Sequence, residues 1–317
     1  MSQRALAALA VVVMCTTTAC GTPDVDVARA MQAPPARAAA LDPAGPITVA
    51  SFDFTESRIV AEIYAEALEA SGYPVERAAG VASREVLAPA LQQGLVDLLP
   101  EYAGTALAFL TGDPSAASAD PAVTHARLVD AYADRAVVVL DAAEAQNRNA
   151  LAVRRETAER HGLTSISDLA PVADRLVLGG PPECPSRPLC LMGYRDVYGL
   201  EFQRFIPLDV GGPLTVAALE GGEIDVAVLF SADRPNIADQ FVFLGDDRGL
   251  QPAENITPVL RRDVLRAHGA DLERRIDEVT RHLTTAGLAE LVRRADVERE
   301  DPARLAGEWL RRADVRP

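Results

Sequence analysis

The residues best placed to do chemistry lie just past a short apolar run. Residues 96–99 read as a buried strand that Pro100 ends, and Glu101, Tyr102 and Thr105 follow it. In open α/β sheets ligands sit there, outside the carboxyl ends of the strands. A carboxylate, a phenol and a hydroxyl at that position make a polar cleft suited to a small solute. No reactive constellation accompanies them: the sequence has no Gly-x-Ser-x-Gly elbow, no His-Glu-x-x-His and no phosphate loop. Gly179-Gly180 is followed by Pro181-Pro182, which lack backbone donors, and by no Gly-Lys-Ser. A chance pair of carboxylates in the cleft leaves a glycosidase-like or lyase activity as the enzymatic alternative, and a purely structural protein as the inert one.

The elements that position these groups can be read outward. Ser83 stands where a helix N-cap belongs, and Val86, Leu87, Ala90 and Leu91 give the helix one apolar face. Gly94 can end it in a left-handed turn. The phrase recurs: Ala90-Leu91-x-x-Gly94-x-Val96-Asp97 matches Ala218-Leu219-x-x-Gly222-x-Ile224-Asp225, where the strand is Val226–Phe230. Two helix–Gly–strand units imply two similar α/β lobes, each aiming a strand end at a common cleft. A coincidental helix ending is the alternative. Ile47–Phe52 opens the first lobe, and Thr55 can cap a helix with Ile59, Val60, Ile63, Tyr64, Ala67 and Leu68 on one face. Residues 73–77 form a second strand. The chain crosses into the second lobe at residues 150–153, and residues 241–244 read as the return strand. Residues 256–260 complete the first sheet, everything from Asp263 onward is helical, and Trp309 reads as packing. Two crossings imply a hinge of two strands and ligand-driven closure.

At 317 residues the chain can hold one large or two medium domains. Its 46 acidic against 31 basic residues leave a net charge of −15, which argues against nucleic acid as a partner. At the N-terminus Arg4 precedes an apolar run, residues 5–14, too short for a stable membrane anchor. Thr17-Thr18-Ala19-Cys20-Gly21 then resembles a lipoprotein signal-peptidase site, making residues 1–20 the signal peptide and Cys20 the lipidated first residue. Thr17 stands where leucine is usual, and a plain secretory signal is the alternative. Residues 21–46, rich in Ala, Pro and Asp, read as a disordered tether with a reach of roughly 25 Å. Exported proteins meet oxidising conditions, so Cys184 and Cys190 in Cys-Pro-Ser-Arg-Pro-Leu-Cys are expected to form a disulfide. Two free thiols are the alternative. Zinc would need two further ligands, and His125, His161, His268 and His282 all lie elsewhere.

The run Asp97-Leu98-Leu99-Pro100-Glu101-Tyr102-Ala103-Gly104-Thr105 resembles the solute-binding proteins of the glycine betaine/carnitine/choline ABC importers. Ser51-Phe52-Asp53-Phe54-Thr55-Glu56, Phe230-Ser231-Ala232-Asp233 and residues 283–291 extend the likeness, in order, over residues 47–312. The resemblance implies an α/β, two-lobed periplasmic-binding-protein fold of type II, with a ligand cleft between the lobes and a two-strand hinge. Residues 47–148 and 245–317 would form the first lobe and residues 149–244 the second. It implies a monomeric, extracytoplasmic solute-binding component rather than an enzyme, without metal or cofactor. Cys20 would hold it on the outer face of the cytoplasmic membrane, where it delivers its solute to the permease.

The same likeness assigns candidate ligand contacts. Members of the family hold a quaternary ammonium in a cage of tyrosines, through cation–π attraction of about 0.5–2 kcal/mol per contact. Tyr102 matches the first cage tyrosine and Thr105 a nearby hydroxyl. Asn149, Phe230 and Glu254 stand where the other three tyrosines are usual. Arg187 aligns with an arginine that grips the ligand's carboxylate, and Glu85 with a polar position lining the pocket. Phe52 sits where lysine is common, and Asp53 replaces asparagine. About half the cage is therefore gone. The expected solute is a quaternary ammonium osmoprotectant of the glycine betaine, choline or carnitine class; a different polar or aromatic small molecule is the alternative.

Overall fold

The computed structural model describes residues 42–315; the expected signal peptide, the expected lipidation site Cys20 and the expected tether up to residue 41 lie outside the described residues. Residues 42–46, expected as the end of the tether, form a turn instead. Asp42 organises it, accepting the Ala44 N–H through Oδ1 and the Gly45 N–H through its carbonyl, both at 3.0 Å.

The first sheet begins with β1 (Ile47–Phe52), helix α1 (Thr55–Ala70), β2 (Val75–Ala82), α2 (Arg84–Gln92), β3 (Leu98–Tyr102) and α3 (Ala103–Thr111). Helix α4 (Pro121–Tyr132) leads to β4 (Val137–Val139). The chain then builds a second sheet from β5 (Asn149–Arg154), α5 (Arg155–His161), β6 (Val177–Gly180), α6 (Leu191–Tyr198), β7 (Arg204–Pro207), α7 (Pro213–Gly221), β8 (Val226–Phe230), α8 (Arg234–Ile237) and β9 (Phe241–Phe243). It returns through β10 (Ile256–Arg261) and ends in α9 (Arg262–His268), α10 (Ala270–His282), α11 (Thr285–Asp296) and α12 (Pro302–Arg312).

The two sheets are wound alike. Their orders are β2-β1-β3-β10-β4 and β7-β6-β8-β5-β9, each with three parallel strands followed by an antiparallel pairing. The repeated helix–Gly–strand phrase sits at equivalent places, and Gly94 and Gly222 both adopt positive φ (73° and 78°) where each helix stops. Asp97 and Asp225 then do the same work. Asp97 accepts the Thr48 N–H at 2.8 Å and pairs with Arg261 at the end of β10 at 2.7 Å. Asp225 accepts the Val177 N–H at 3.0 Å and pairs with Arg154 at the end of β5 at 3.1 Å. Each aspartate thus ties the sheet's first parallel strand to its antiparallel strand.

Three local expectations are corrected. Pro100 does not end its strand: it lies inside β3, opposite Pro258 of β10. Two facing prolines can exchange no N–H bonds, so that rung needs none. The strand expected over residues 73–77 runs on to Ala82, carried by parallel pairing with β1 past a register shift. The strand expected to return to the first lobe, β9, pairs with β5 and closes the second sheet. The return falls to the following residues. There Gln146 and Asn255 form an antiparallel bridge, and the Asn147 N–H donates to the Glu254 carbonyl at 3.1 Å. The two crossings thus run side by side.

Helices α10, α11 and α12 pack on α1, and their apolar faces join the first lobe's core with Trp309 partly buried against it. The second lobe has separate apolar clusters on either side of its sheet. No helix among the described residues is long and apolar enough to cross a membrane.

Candidate functional site

The end of β3 delivers Tyr102 to the space between the lobes, and β1 delivers Phe52 beside it. Phe52 and Phe54 stack with centroids 6.1 Å apart, and Tyr102 tilts against both, at 6.3 and 5.7 Å. Phe230, at the end of β8, stacks on Phe54 at 5.7 Å from the opposite lobe. Such spacings are those of interacting aromatic pairs. The Phe230 ring leaves no room for a side chain at Gly211, where an added Cβ would stand 2.7 Å from it and φ is +64°. Below the rings, the Arg84 guanidinium lies 5.1 Å from the Phe52 centroid and is paired with the buried Glu101 at 2.9 Å.

The rings border a cavity of about 510 Å³ between the lobes. Phe52, Asp53, Glu85, Tyr102, Thr105, Asn149, Arg187, Phe230 and Glu254 all line it. Their engagements differ from the simple cage. The Tyr102 hydroxyl turns away to donate to Glu56 at 2.8 Å, leaving the ring for the cavity. Asn149 donates to the Leu189 carbonyl at 3.1 Å, and Asp53 is paired with Arg58. Arg187 reaches across the cleft to Glu85, with Nε–Oε1 3.1 Å and Nη2–Oε2 3.0 Å, and also contacts Glu183 at 3.0 Å. The loop that carries it is closed by a disulfide between Cys184 and Cys190. Burial works to raise the Glu85 carboxyl, but hydrogen bonds from Arg187 and Ser83 prevail and hold it down at about 2.

Glu254 is 1% exposed. Its Oε2 accepts the Thr105 N–H at 3.1 Å and the Thr105 hydroxyl at 3.3 Å, while Oε1 has no partner. Burial pushes its carboxyl up to about 7, against the Thr105 hydrogen bonds and the charge of Arg84. Gly104 makes the approach possible, since a Cβ there would meet Pro252 at 2.4 Å and the Ala253 carbonyl at 2.8 Å. A second buried carboxyl, Glu56, accepts from Tyr102 and, at 2.8 Å, from Asn147 Nδ2. Asn147 Oδ1 in turn accepts the Ala232 N–H at 3.0 Å. Burial raises Glu56 to about 7. This chain of bonds joins ring, crossing segment and second lobe.

Sequence reasoning missed Phe54, Arg84 and Asn147 as cavity residues. Phe54 had a usable signal, alternation with Phe52 at a strand end. Arg84 and Asn147 had none, because their places depend on partners far along the chain. Among the described residues, no group of three or more His, Cys, Asp or Glu side chains could hold a metal ion.

Two like-wound lobes, joined by two adjacent crossings and enclosing a ring-lined cavity, define a solute-binding protein of the type II periplasmic class. A solved structure described as a glycine betaine/carnitine/choline ABC transporter protein superposes with a TM-score of 0.65 at 25% identity, covering 85% of this chain and 99% of that one. Residues 45–312 match the model of the substrate-binding domain of ABC-type glycine betaine transport systems, and the chain belongs to that family of transport binding proteins. The glycine-betaine-binding protein of Pseudomonas aeruginosa is 29% identical over 284 residues, 86% of this chain and 90% of that protein. The glycine betaine-binding protein YehZ of Escherichia coli is 26% identical, over 86% of this chain and 92% of its own length.

Proposed function

We propose that this chain is the extracytoplasmic, non-enzymatic solute-binding component of an ABC importer, capturing a methylated ammonium solute of the glycine betaine, choline or carnitine class. The carrying observation is the cavity between the lobes, which four aromatic rings, three from one lobe and Phe230 from the other, line together with the buried Glu254. Ring faces attract a cation that has been stripped of water, and a buried carboxylate adds charge attraction. The lobes close over the solute and present it to the permease, with Cys20 as the membrane anchor and the protein acting as a monomer. The volume favours a second reading of the ligand. At about 510 Å³ the cavity falls within the roughly 300–1,000 Å³ of pockets that take drug-sized ligands, room enough for a bulkier polar or aromatic solute in the same importer role.

A thermal-shift screen with glycine betaine, choline and carnitine, against sugars, amino acids and plant phenolics, tests this. A ligand at a hundred times its Kd adds about 2.7 kcal/mol, a shift of several degrees. Tyr102→Ala should weaken whichever cation binds by about tenfold, the value of one ring contact. A shift only from an uncharged class would replace the ligand and keep the importer role.

A further inference from the structure

Two guanidinium groups line the cavity, and both are already engaged. Arg84 is paired with Glu101 at 2.9 Å. Arg187 donates to both Glu85 oxygens, at 3.1 and 3.0 Å, and contacts Glu183 at 3.0 Å, so one positive charge faces two carboxylates. Among the described residues no other arginine, and no lysine or histidine, lines the cavity. The carboxyl groups that line it are Asp53, Glu85, Glu183, Asp209 and Glu254, five against two. Arg58, outside the cavity, serves Asp53, while Asp209 is held by the Leu214 and Thr215 N–H groups and the Thr215 hydroxyl, all of them neutral. The neutral donors of the wall are committed as well. Ser83 bonds Glu85, the Tyr102 hydroxyl goes to Glu56, and Asn149 donates to the Leu189 carbonyl.

A solute that carries a carboxylate must find a cation here. To reach Arg187 it has to displace Glu85, which then faces a like charge without its partner. A solute whose only charge is its ammonium meets neither cost. The rings take its methyl groups, and a cleft lined mostly by acidic groups concentrates cations. We propose that the site selects a quaternary ammonium without a carboxylate, a cation of the choline type, over zwitterions of the glycine betaine and carnitine type, with Glu85, through its hold on Arg187, as the discriminating residue. The proposal rests on the methylated-ammonium reading given above and narrows it. A charge that the wrong partner would leave unpaired is a general means of rejecting that partner.

The test compares glycine betaine with its amide, nearly the same in shape but without the carboxylate, and with choline. Dissociation constants are measured by titration calorimetry on the purified protein at neutral pH. The amide and choline should each bind at least about tenfold tighter than glycine betaine, a difference of about 1.4 kcal/mol. In Glu85→Gln, Arg187 loses its bidentate partner and the cavity loses one negative charge, so the preference should fall below about threefold. Losing the bond between the lobes acts on all three solutes alike, and their ratio therefore isolates the carboxylate. A preference below about threefold in the unaltered protein, or tighter binding of glycine betaine, overturns the selection and leaves the methylated-ammonium reading standing. An undiminished preference in Glu85→Gln overturns Glu85 as the discriminating residue. Failure of all three to bind the unaltered protein overturns both the selection and the ligand class beneath it.

Discussion

Glu56 carries no contact with the cavity, yet it sets the terms on which Tyr102 is held. Its two oxygens receive the tyrosine hydroxyl and the Asn147 amide, and burial raises its carboxyl to about 7. A carboxyl raised above its unfolded value of about 4.3 makes the folded state the tighter proton binder. The stability it lends is full below pH 4.5 and is lost as pH rises through 7. Burial raises Asp233 as well, to about 8, and the repulsion of Glu56 adds to it; Glu254 shifts in the same direction. The protein should therefore unfold more readily at pH 8 than at pH 5.5. Glu56→Gln, which can still bond Tyr102 and Asn147, should remove about 2 kcal/mol of that difference, the part of the shift that titrates between those two pH values. Urea midpoints of both proteins at the two pH values check this, and an unchanged slope would remove Glu56 as the source. Ligand affinity runs the other way. Ionised Glu254, flanked by Arg84 of α2 and Glu101 of β3 and bonded by Thr105 of α3, attracts a cation, so affinity should rise with pH through about 7.

At the scale of elements, the informative comparison is between Asp97 and Asp225. The first pair is buried, with side chains of Asp97 and Arg261 1% and 5% exposed; the second is wetter, at 27% and 22% for Asp225 and Arg154. Removing one partner of a buried pair costs about 3–5 kcal/mol, whereas a partly solvated pair is worth far less. Asp97→Ala should lower stability by about 3 kcal/mol and Asp225→Ala by about 1 kcal/mol, measured by chemical denaturation. Equal losses would mean that the bonds to Thr48 and Val177, not the arginines, dominate. The aspartates stood out in the sequence because each follows its glycine by a fixed step, and the two-lobed plan could be read from that repetition. Their arginines could not, since each comes from a strand distant along the chain. Pro100 was misread because the partner that makes it tolerable, Pro258, is equally remote. The tyrosine-cage positions line one cavity because strand ends meet there, but Phe54 and the pairing of Arg187 with Glu85 emerge only once two lobes face one another.

For the whole molecule, the Glu85–Arg187 pair is a bond across the cleft, and its geometry is bidentate though partly solvated. Such a pair is worth up to about 1 kcal/mol. Arg187→Ala should shift the balance between open and closed lobes by a factor of up to about five, visible as a larger radius of gyration in solution scattering. Added salt should mimic the change in the unaltered protein. No expansion would mean that the rings alone hold the lobes together. A different consequence follows from the order in which the strands enter the two sheets. The second sheet uses one uninterrupted stretch of chain, β5 to β9, while the first must wait for β10 before β3 and β4 are joined. A ribosome therefore releases a completable inner lobe before the outer one can close around its own beginning. In refolding, pulsed hydrogen exchange should protect β5 and β8 before β3 and β10, because contacts between distant segments form late. The lobe inserted in the middle of the chain would be the first to stand.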